Sequence, residues 1–207
     1  MRLDKFGDSY DIVKQSLLRW LAPCGPWVAH PMFTEPVDPS ETEAFSRFLG
    51  VCLLTTQTLH RHSDREAYFS TATSCVGHVF LDPNTGLRVP SASLDDATNF
   101  VNGTELVILA QARPDKLTLV FDQCIDRRYP SKDQIEAKLT WLAERGVYGV
   151  TYESHACFVL VSATESVLEK AIETLFRESR LPVARLVRVS GTPQNSPLQP
   201  AAERRGG

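Results

Sequence analysis

An apolar run that ends abruptly in Asp-Pro is the feature that most constrains the fold of this chain. Residues 78–81 are mostly apolar, and Asp82 and Pro83 follow at once. The pattern predicts a buried β-strand with a carboxylate at its carboxyl end, where ligands and reacting groups gather in open α/β sheets. Residues 117–122 repeat the pattern and end in Asp122. We therefore expect a site at one edge of a sheet, although the two runs alone do not specify its chemistry.

Apolar periodicity along the chain alternates between strand and helix patterns. Strands are predicted at residues 27–33, 51–54, 78–82, 117–122, 147–151, 156–162 and 183–189. Helices are predicted at residues 8–21, 40–50, 65–69, 105–112, 131–145 and 164–179. This alternation predicts a three-layer, Rossmann-like α/β fold with a mostly parallel sheet, helices on both faces and an antiparallel edge strand. We expect one domain over residues 1–190 and a disordered tail over 191–207.

Three helix beginnings carry recognisable caps. Asp8 is predicted to cap the first helix through its side chain. Ser40 with Glu43, and Ser131 with Gln134, have the spacing of capping boxes, in which each side chain satisfies a free backbone amide of its partner. We expect helices to begin at both boxes.

Composition and charge limit the class of protein. The formal net charge of −3 at pH 7 gives no general attraction for nucleic acid, although a local basic patch is compatible with it. The five cysteines are scattered and form no Cys-x-x-Cys pair, which favours a reducing compartment over a disulfide framework or a zinc cluster. No signal peptide is recognisable, and no run approaches the ~20 apolar residues of a membrane span. We expect a cytoplasmic protein that does not enter a membrane.

Asp11 and Lys14 lie one turn apart on the first predicted helix. Their spacing alone favours a solvated ion pair on the surface of a capped helix. The alternative is that both side chains point into a cleft, where they position a ligand or a substrate phosphate.

Asp82 and Asp122 each allow a structural and a functional interpretation. Either side chain is able to close a turn by accepting hydrogen bonds from backbone amides beyond it. A rigidly held Asp82 is also suited to act as a general base, a metal ligand or an acceptor for an amino group, and we favour a functional role for it. Two carboxylates at neighbouring strand ends would bind Mg²⁺, which supports phosphodiester cleavage or phosphoryl transfer.

Several common catalytic motifs are missing from the sequence. It contains no Gly-x-Ser-x-Gly elbow and no Gly-x-x-x-x-Gly-Lys-Ser/Thr loop, which argues against a serine hydrolase and a P-loop nucleotidase. The five histidines show no spacing typical of metal ligands.

The order of short motifs resembles that of the ribosomal RNA adenine-N6 methyltransferases of the J family. The matching pieces are Gly7-x-x-x-Asp11-x-x-Lys14, residues 80–85, the strand at 117–122 with the helix after it, and residues 154–160. The three-Cys-motif partner proteins of bacteria share much of this layout.

The resemblance implies a Rossmann-like fold, S-adenosylmethionine as cofactor and a nucleic-acid substrate. Asp82, Pro83 and Asn84 stand where that family has its catalytic Asp-Pro-Pro-Tyr motif, so Asp82 would engage the target amino group. Asp11, Lys14 and His30 would lie at the cofactor end of the sheet.

The chain departs from the family at several positions. Residues 30–36 contain no Gly, whereas a Gly-rich turn normally follows the first strand. Asn84 and Thr85 replace the second Pro and the Tyr of the catalytic motif, and Thr85 has no ring on which a flipped base could stack. Gln15 stands where the family has His.

Three functional hypotheses follow. The first is a methyltransferase-like enzyme that uses S-adenosylmethionine and acts on nucleic acid, with Asp82 at its centre. The second is a metal-dependent nuclease or phosphoesterase in which Asp82 and Asp122 share Mg²⁺. The third is a catalytically inactive descendant that binds a protein partner. The ordered resemblance ranks the first hypothesis ahead of the others.

Overall fold

Alternating strands and helices build a layered α/β protein. The computed structural model describes residues 6–89, 97–123, 125–126 and 128–189, so the predicted tail at 191–207 lies outside the described residues. The strands are β1 Trp27–Pro31, β2 Cys52–Leu53, β3 His78–Asp82, β4 Gly86–Arg88, β5 Phe100–Asn102, β6 Thr118–Asp122, β7 Tyr148–Glu153, β8 Cys157–Ser162 and β9 Leu186–Val187. The helices are α1 Ser9–Leu21, α2 Pro39–Leu49, α3 Arg65–Thr73, α4 Gly103–Ala112, α5 Ser131–Ala143 and α6 Glu165–Ser179.

The central sheet has seven strands in the order β2-β1-β3-β6-β8-β7-β9. The first four of these are parallel, whereas β8 is antiparallel to both of its neighbours and β9 is antiparallel to β7. The α/β class, the mostly parallel sheet and the antiparallel edge strand are therefore confirmed. A second, two-stranded sheet pairs β4 with β5, and neither strand is among those predicted above.

Two apolar cores cover the two faces of the sheet and complete the three layers. On one face, Phe80 and Leu119 pack with residues of α1, α2 and α6. On the other face, Leu81 and Val120 pack with residues of α3, α4 and α5. Successive residues of a strand point to opposite faces. The position of a side chain along its strand therefore decides which set of helices it meets.

Several predicted boundaries were wrong. The last strand is shorter than 183–189, because a 3₁₀ turn over Val183–Arg185 precedes β9. The capping box of α2 joins Asp38 to Glu41 rather than Ser40 to Glu43, since Pro39 takes the first helical position and draws the helix start forward.

The other two predicted caps differ in outcome. Helix α5 begins at Ser131 as predicted but follows Pro130, and no side chain caps it, so the second predicted box is wrong. Asp8 does cap α1, as predicted, by accepting hydrogen bonds from the amides of Tyr10 and Asp11. That cap fixes the direction in which α1 leaves the edge of the sheet.

Candidate functional site

A polar cavity of about 640 Å³ opens at the carboxyl ends of the parallel strands. This volume falls within the range of roughly 300–1,000 Å³ that is usual for ligand pockets. Its walls come from the amino end of α1, the segment after β1, the loop after β3, the segment before β5 and the end of β6. The lining residues are Asp8, Tyr10, Asp11, Lys14, Thr34, Glu35, Asp82, Pro83, Asn84, Thr85, Thr98, Asn99, Phe121 and Gln123. Parallel strands end together at this edge, so residues far apart in sequence meet here.

A buried chain of charges lies against the cavity. The Lys14 ammonium lies 2.9 Å from Asp11 Oδ1 and 3.0 Å from Asp82 Oδ2, and it donates a hydrogen bond to each carboxylate. All three side chains are at most 6% exposed. Asp11 Oδ2 in turn accepts a hydrogen bond from the Gly7 amide. The interpretation of Asp11 and Lys14 as a solvated surface pair is therefore wrong, because both side chains line the cavity beside Asp82.

One lysine cannot balance two buried carboxylates. Burial alone would lower the pKa of Lys14, but the charges of Asp82 and Asp11 outweigh it and raise that pKa above its ordinary value. Burial raises the pKa of Asp82, and the nearby Lys14 ammonium only partly offsets this effect. The ammonium therefore stays charged beside Asp11, while Asp82 takes up a proton more readily than an exposed aspartate does.

Asp82 keeps one oxygen without a partner. Its Oδ2 accepts the hydrogen bond from Lys14, whereas the buried Oδ1 has no hydrogen-bond partner. The side chain makes no hydrogen bond to backbone amides beyond it, so the turn-closing interpretation of Asp82 is wrong. An unpaired buried acceptor costs about 1–3 kcal/mol, and such groups call for an explanation. In Asp82 the unpaired oxygen belongs to a residue that lines the cavity.

The loop after β3 is fixed by its own hydrogen bonds. Asn84 Nδ2 donates to Asn99 Oδ1 at 2.8 Å and lies 3.5 Å from Thr34 Oγ1. The Thr85 amide donates to the Asn99 carbonyl, and the Thr85 carbonyl accepts from the Gln123 amide. Pro83, Asn84 and Thr85 all line the cavity, as expected for the segment that follows Asp82.

Asp122 lies on the opposite face of the sheet from Asp82. In the pairing of β3 with β6, Phe80 aligns with Leu119 on the face of α1, and Leu81 aligns with Val120 on the face of α5. Because side chains alternate along a strand, Asp82 points to the same face as Phe80, and Asp122 points to the same face as Val120.

Partners on that second face occupy both oxygens of Asp122. Oδ2 accepts from Lys138 Nζ at 2.6 Å and Oδ1 from the Leu87 amide at 3.1 Å. The structure therefore does not bring Asp82 and Asp122 together around a shared ion. Within the described residues, no group of three or more His, Cys, Asp and Glu side chains is arranged to hold a metal.

His30 also lies away from the cavity. Its ring stacks on Phe69 at 5.3 Å between centroids, and Nε2 lies 3.2 Å from the Tyr68 carbonyl. Burial lowers the pKa of His30, so the ring is neutral near pH 7. The predicted grouping of His30 with Asp11 and Lys14 is not seen, because His30 points to the face of α3.

Two aromatic residues of the cavity were not among the predicted site residues. Tyr10 and Phe121 line its wall, and their rings meet edge to face with centroids 5.9 Å apart. Lys14 Nζ lies 4.8 Å from the centroid of Phe121, which is a cation–π contact. A signal existed for both, since Tyr10 directly precedes Asp11 and Phe121 directly precedes Asp122.

Comparison of the chain with protein-family models, curated proteins and solved structures found no match. Among the described helices, none combines the length and the apolar character needed to cross a bilayer.

Proposed function

We propose that this chain is a methyltransferase-like protein that binds S-adenosylmethionine and presents Asp82 to an amino group of its acceptor. The observation that carries the proposal is the unpartnered Oδ1 of Asp82, held at the carboxyl end of β3 in the wall of a ligand-sized cavity. An amino group donates the hydrogen bond that this oxygen lacks. By the resemblance described above, the acceptor is a nucleic-acid base.

The strand order supports this proposal. β8 is inserted antiparallel between β6 and β7, which both run in the direction of the parallel strands. A reversed strand inserted near one edge of a mostly parallel sheet resembles the sheet of S-adenosylmethionine-dependent methyltransferases. β3 lies next to β1, and by the resemblance its end is where the acceptor group is engaged.

The charge of the cavity fits a cationic cofactor. Asp8, Asp11, Glu35 and Asp82 line it together with a single base, Lys14. S-adenosylmethionine carries a sulfonium and an ammonium group against one carboxylate, so its net positive charge suits this negative lining. No Gly-rich turn follows β1, which leaves Thr34 and Glu35 to form that part of the wall with side chains rather than bare backbone.

The residues of the chain have separate tasks in this proposal. Bound S-adenosylmethionine supplies an activated methyl group. Asp82 orients the acceptor nitrogen by accepting a hydrogen bond from one of its N–H groups, and Lys14 holds the other Asp82 oxygen in place. Asp11 fixes Lys14 and is itself tied to the Gly7 amide at the start of α1. Asp82 is therefore the group that would touch the acceptor, and Lys14 and Asp11 position it.

Binding of S-adenosylmethionine to the full chain tests the proposal. A ligand at one hundred times its Kd stabilises the folded state by about 2.7 kcal/mol. For a chain of this size, that corresponds to a rise in Tm of roughly 5–10 °C. We expect such a rise with S-adenosylmethionine and with its demethylated product, and a smaller one with Mg²⁺ or Mn²⁺. Absence of any shift at millimolar S-adenosylmethionine refutes the proposal.

A matched pair of variants separates binding of the cofactor from engagement of the acceptor. Asp82→Asn keeps the shape of the side chain but alters its acceptor oxygens, so it should abolish methyl transfer while S-adenosylmethionine still raises the Tm. Asp126→Asn changes a partly exposed aspartate outside the cavity and should leave both properties unchanged. Full methyl transfer by Asp82→Asn would contradict the role given to Asp82.

A further inference from the structure

We infer that Tyr10 is the side chain on which a planar heteroaromatic ring stacks inside the cavity, an inference that rests on the proposed function. The starting point is Thr85, which stands in the loop after Asp82 and has no ring to offer. A cavity that holds a heteroaromatic ring gains affinity from an aromatic wall, because stacking is insensitive to the identity of the ring.

The two aromatic residues of the cavity wall differ in what they offer. Phe121 is engaged by the Lys14 ammonium in a cation–π contact. Tyr10 has no cation above its ring among the described residues. It projects from the amino end of α1, one residue before Asp11, and it lines the same cavity as Asp82. Tyr10 is thus the aromatic side chain best placed to receive a further ring.

Tyr10 is held in place by rings on two other elements. His155, in the turn between β7 and β8, lies against it with centroids 4.9 Å apart and an interplanar angle of 34°. Phe121, at the end of β6, meets it edge to face. His155 is exposed and is not part of the cavity lining, so it braces Tyr10 from outside. A braced ring loses little conformational freedom when a ligand stacks on it.

A continuous series of contacts connects Tyr10 with the polar part of the cavity. The ring of Tyr10 contacts that of Phe121, and Phe121 makes the cation–π contact with Lys14. Lys14 in turn donates a hydrogen bond to Asp82. A ring stacked on Tyr10 therefore lies in the same cavity that Asp82 lines, and Asp82 Oδ1 has no hydrogen-bond partner of its own. This combination suits a planar ring with an exocyclic amino group. Such a ring is present both in the adenine of the proposed cofactor and in a base of the acceptor.

Calorimetric binding of three probes to the full chain tests the inference: adenosine, S-adenosylmethionine and methionine. Tyr10→Leu removes the ring, Tyr10→Phe keeps it, and Tyr148→Leu changes a partly exposed tyrosine at the start of β7 as a control. We expect Tyr10→Leu to weaken adenosine binding about tenfold, and the other two variants to stay within about twofold of the wild type. Methionine binding should not depend on position 10.

The same titrations identify the source of the ring. If Tyr10 holds the adenine of the cofactor, adenosine competes with S-adenosylmethionine and Tyr10→Leu weakens both. If Tyr10 holds a base of the acceptor, the two ligands bind together and Tyr10→Leu weakens adenosine alone. Wild-type affinity of Tyr10→Leu for adenosine, or failure of the wild type to bind adenosine, overturns the inference. Tyr10-dependent binding of adenosine without any binding of S-adenosylmethionine refutes the proposed cofactor and leaves the stacking role standing.

A measurement on the wild-type chain covers the case in which Tyr10→Leu does not fold. With labelled tyrosine, stacked adenosine should give nuclear Overhauser contacts between its ring protons and Tyr10, assigned with Tyr10→Phe. Contacts to other tyrosines without Tyr10 would also overturn the inference.

Discussion

Replacement of Lys14 by Met is the sharpest test of the buried charge chain. The change keeps the length of the side chain but removes the ammonium that bonds Asp11 at 2.9 Å and Asp82 at 3.0 Å. Both carboxylates would stay buried without their cation. Removing one partner of a buried ion pair costs about 3–5 kcal/mol, so we expect a loss of that size in the free energy of unfolding at pH 8.

The loss should shrink as the pH falls. Burial already raises the pKa of Asp82, and removal of Lys14 takes away the largest influence that opposes this effect. The folded variant therefore takes up a proton at a higher pH than the unfolded chain, in which an aspartate has a pKa near 3.9. Its stability relative to the wild type rises as the pH drops, by at most about 1.4 kcal/mol per pH unit for one proton.

Urea unfolding followed by tryptophan fluorescence at pH 8 and pH 5.5 measures both effects. Lys170→Met, which changes an exposed lysine of α6, serves as the control and should stay within about 0.5 kcal/mol of the wild type. The double variant Lys14→Met/Asp82→Asn should recover part of the loss at pH 8. A loss below about 1 kcal/mol at pH 8, or one that is the same at both pH values, would refute the reasoning.

Gly86→Ala should cost about 3 kcal/mol, because Gly86 has φ +140° and an added Cβ would collide with Asp122 Oδ1. Gly50→Ala, at φ +74° with open space around it, should cost only about 1 kcal/mol. If chemical denaturation gives the same loss of stability for Gly86→Ala and Gly50→Ala, the predicted collision is contradicted. Burial lowers the pKa of His30 and of His78, so near and below pH 6.5 the unfolded chain binds more protons than the folded chain does. The free energy of unfolding of the wild type should therefore decline as the pH falls below about 6.5. Urea midpoints that do not fall between pH 7 and pH 5.5 would contradict this.

The sequence was informative where local chemistry decides the structure. Asp82 after an apolar run predicted a buried strand with a carboxylate at its end, and β3 has this form. Asp8 predicted the beginning of α1 because an aspartate cap needs only the amides of the next few residues. The strong amphipathic pattern over 164–179 likewise predicted α6.

The sequence was uninformative where the register of strand pairing decides which side chains meet. Asp82 and Asp122 both end five-residue strands, and nothing near either residue shows that they point to opposite faces. A shift of one residue in the pairing of β3 with β6 would put both on the same face. The insertion of β8 between β6 and β7 is likewise a long-range pairing, which the apolar run at 156–162 does not encode locally.

Burial of the Asp11–Lys14 pair is a third case of long-range control. A lysine three residues after an aspartate on a helix has the same local pattern whether the helix faces water or protein. The pair is buried because α1 packs across the face of the sheet that carries Phe80, which brings Lys14 over the end of β3.

The two outermost strands of the sheet have a consequence for how this protein associates. β2 and β9 are each two residues long, so either margin offers very few free backbone groups to a strand from another molecule. Joining copies side by side into a continuous ribbon is therefore disfavoured, which protects against fibrous aggregation. An assembly of this protein is therefore not expected to form through the edges of the central sheet.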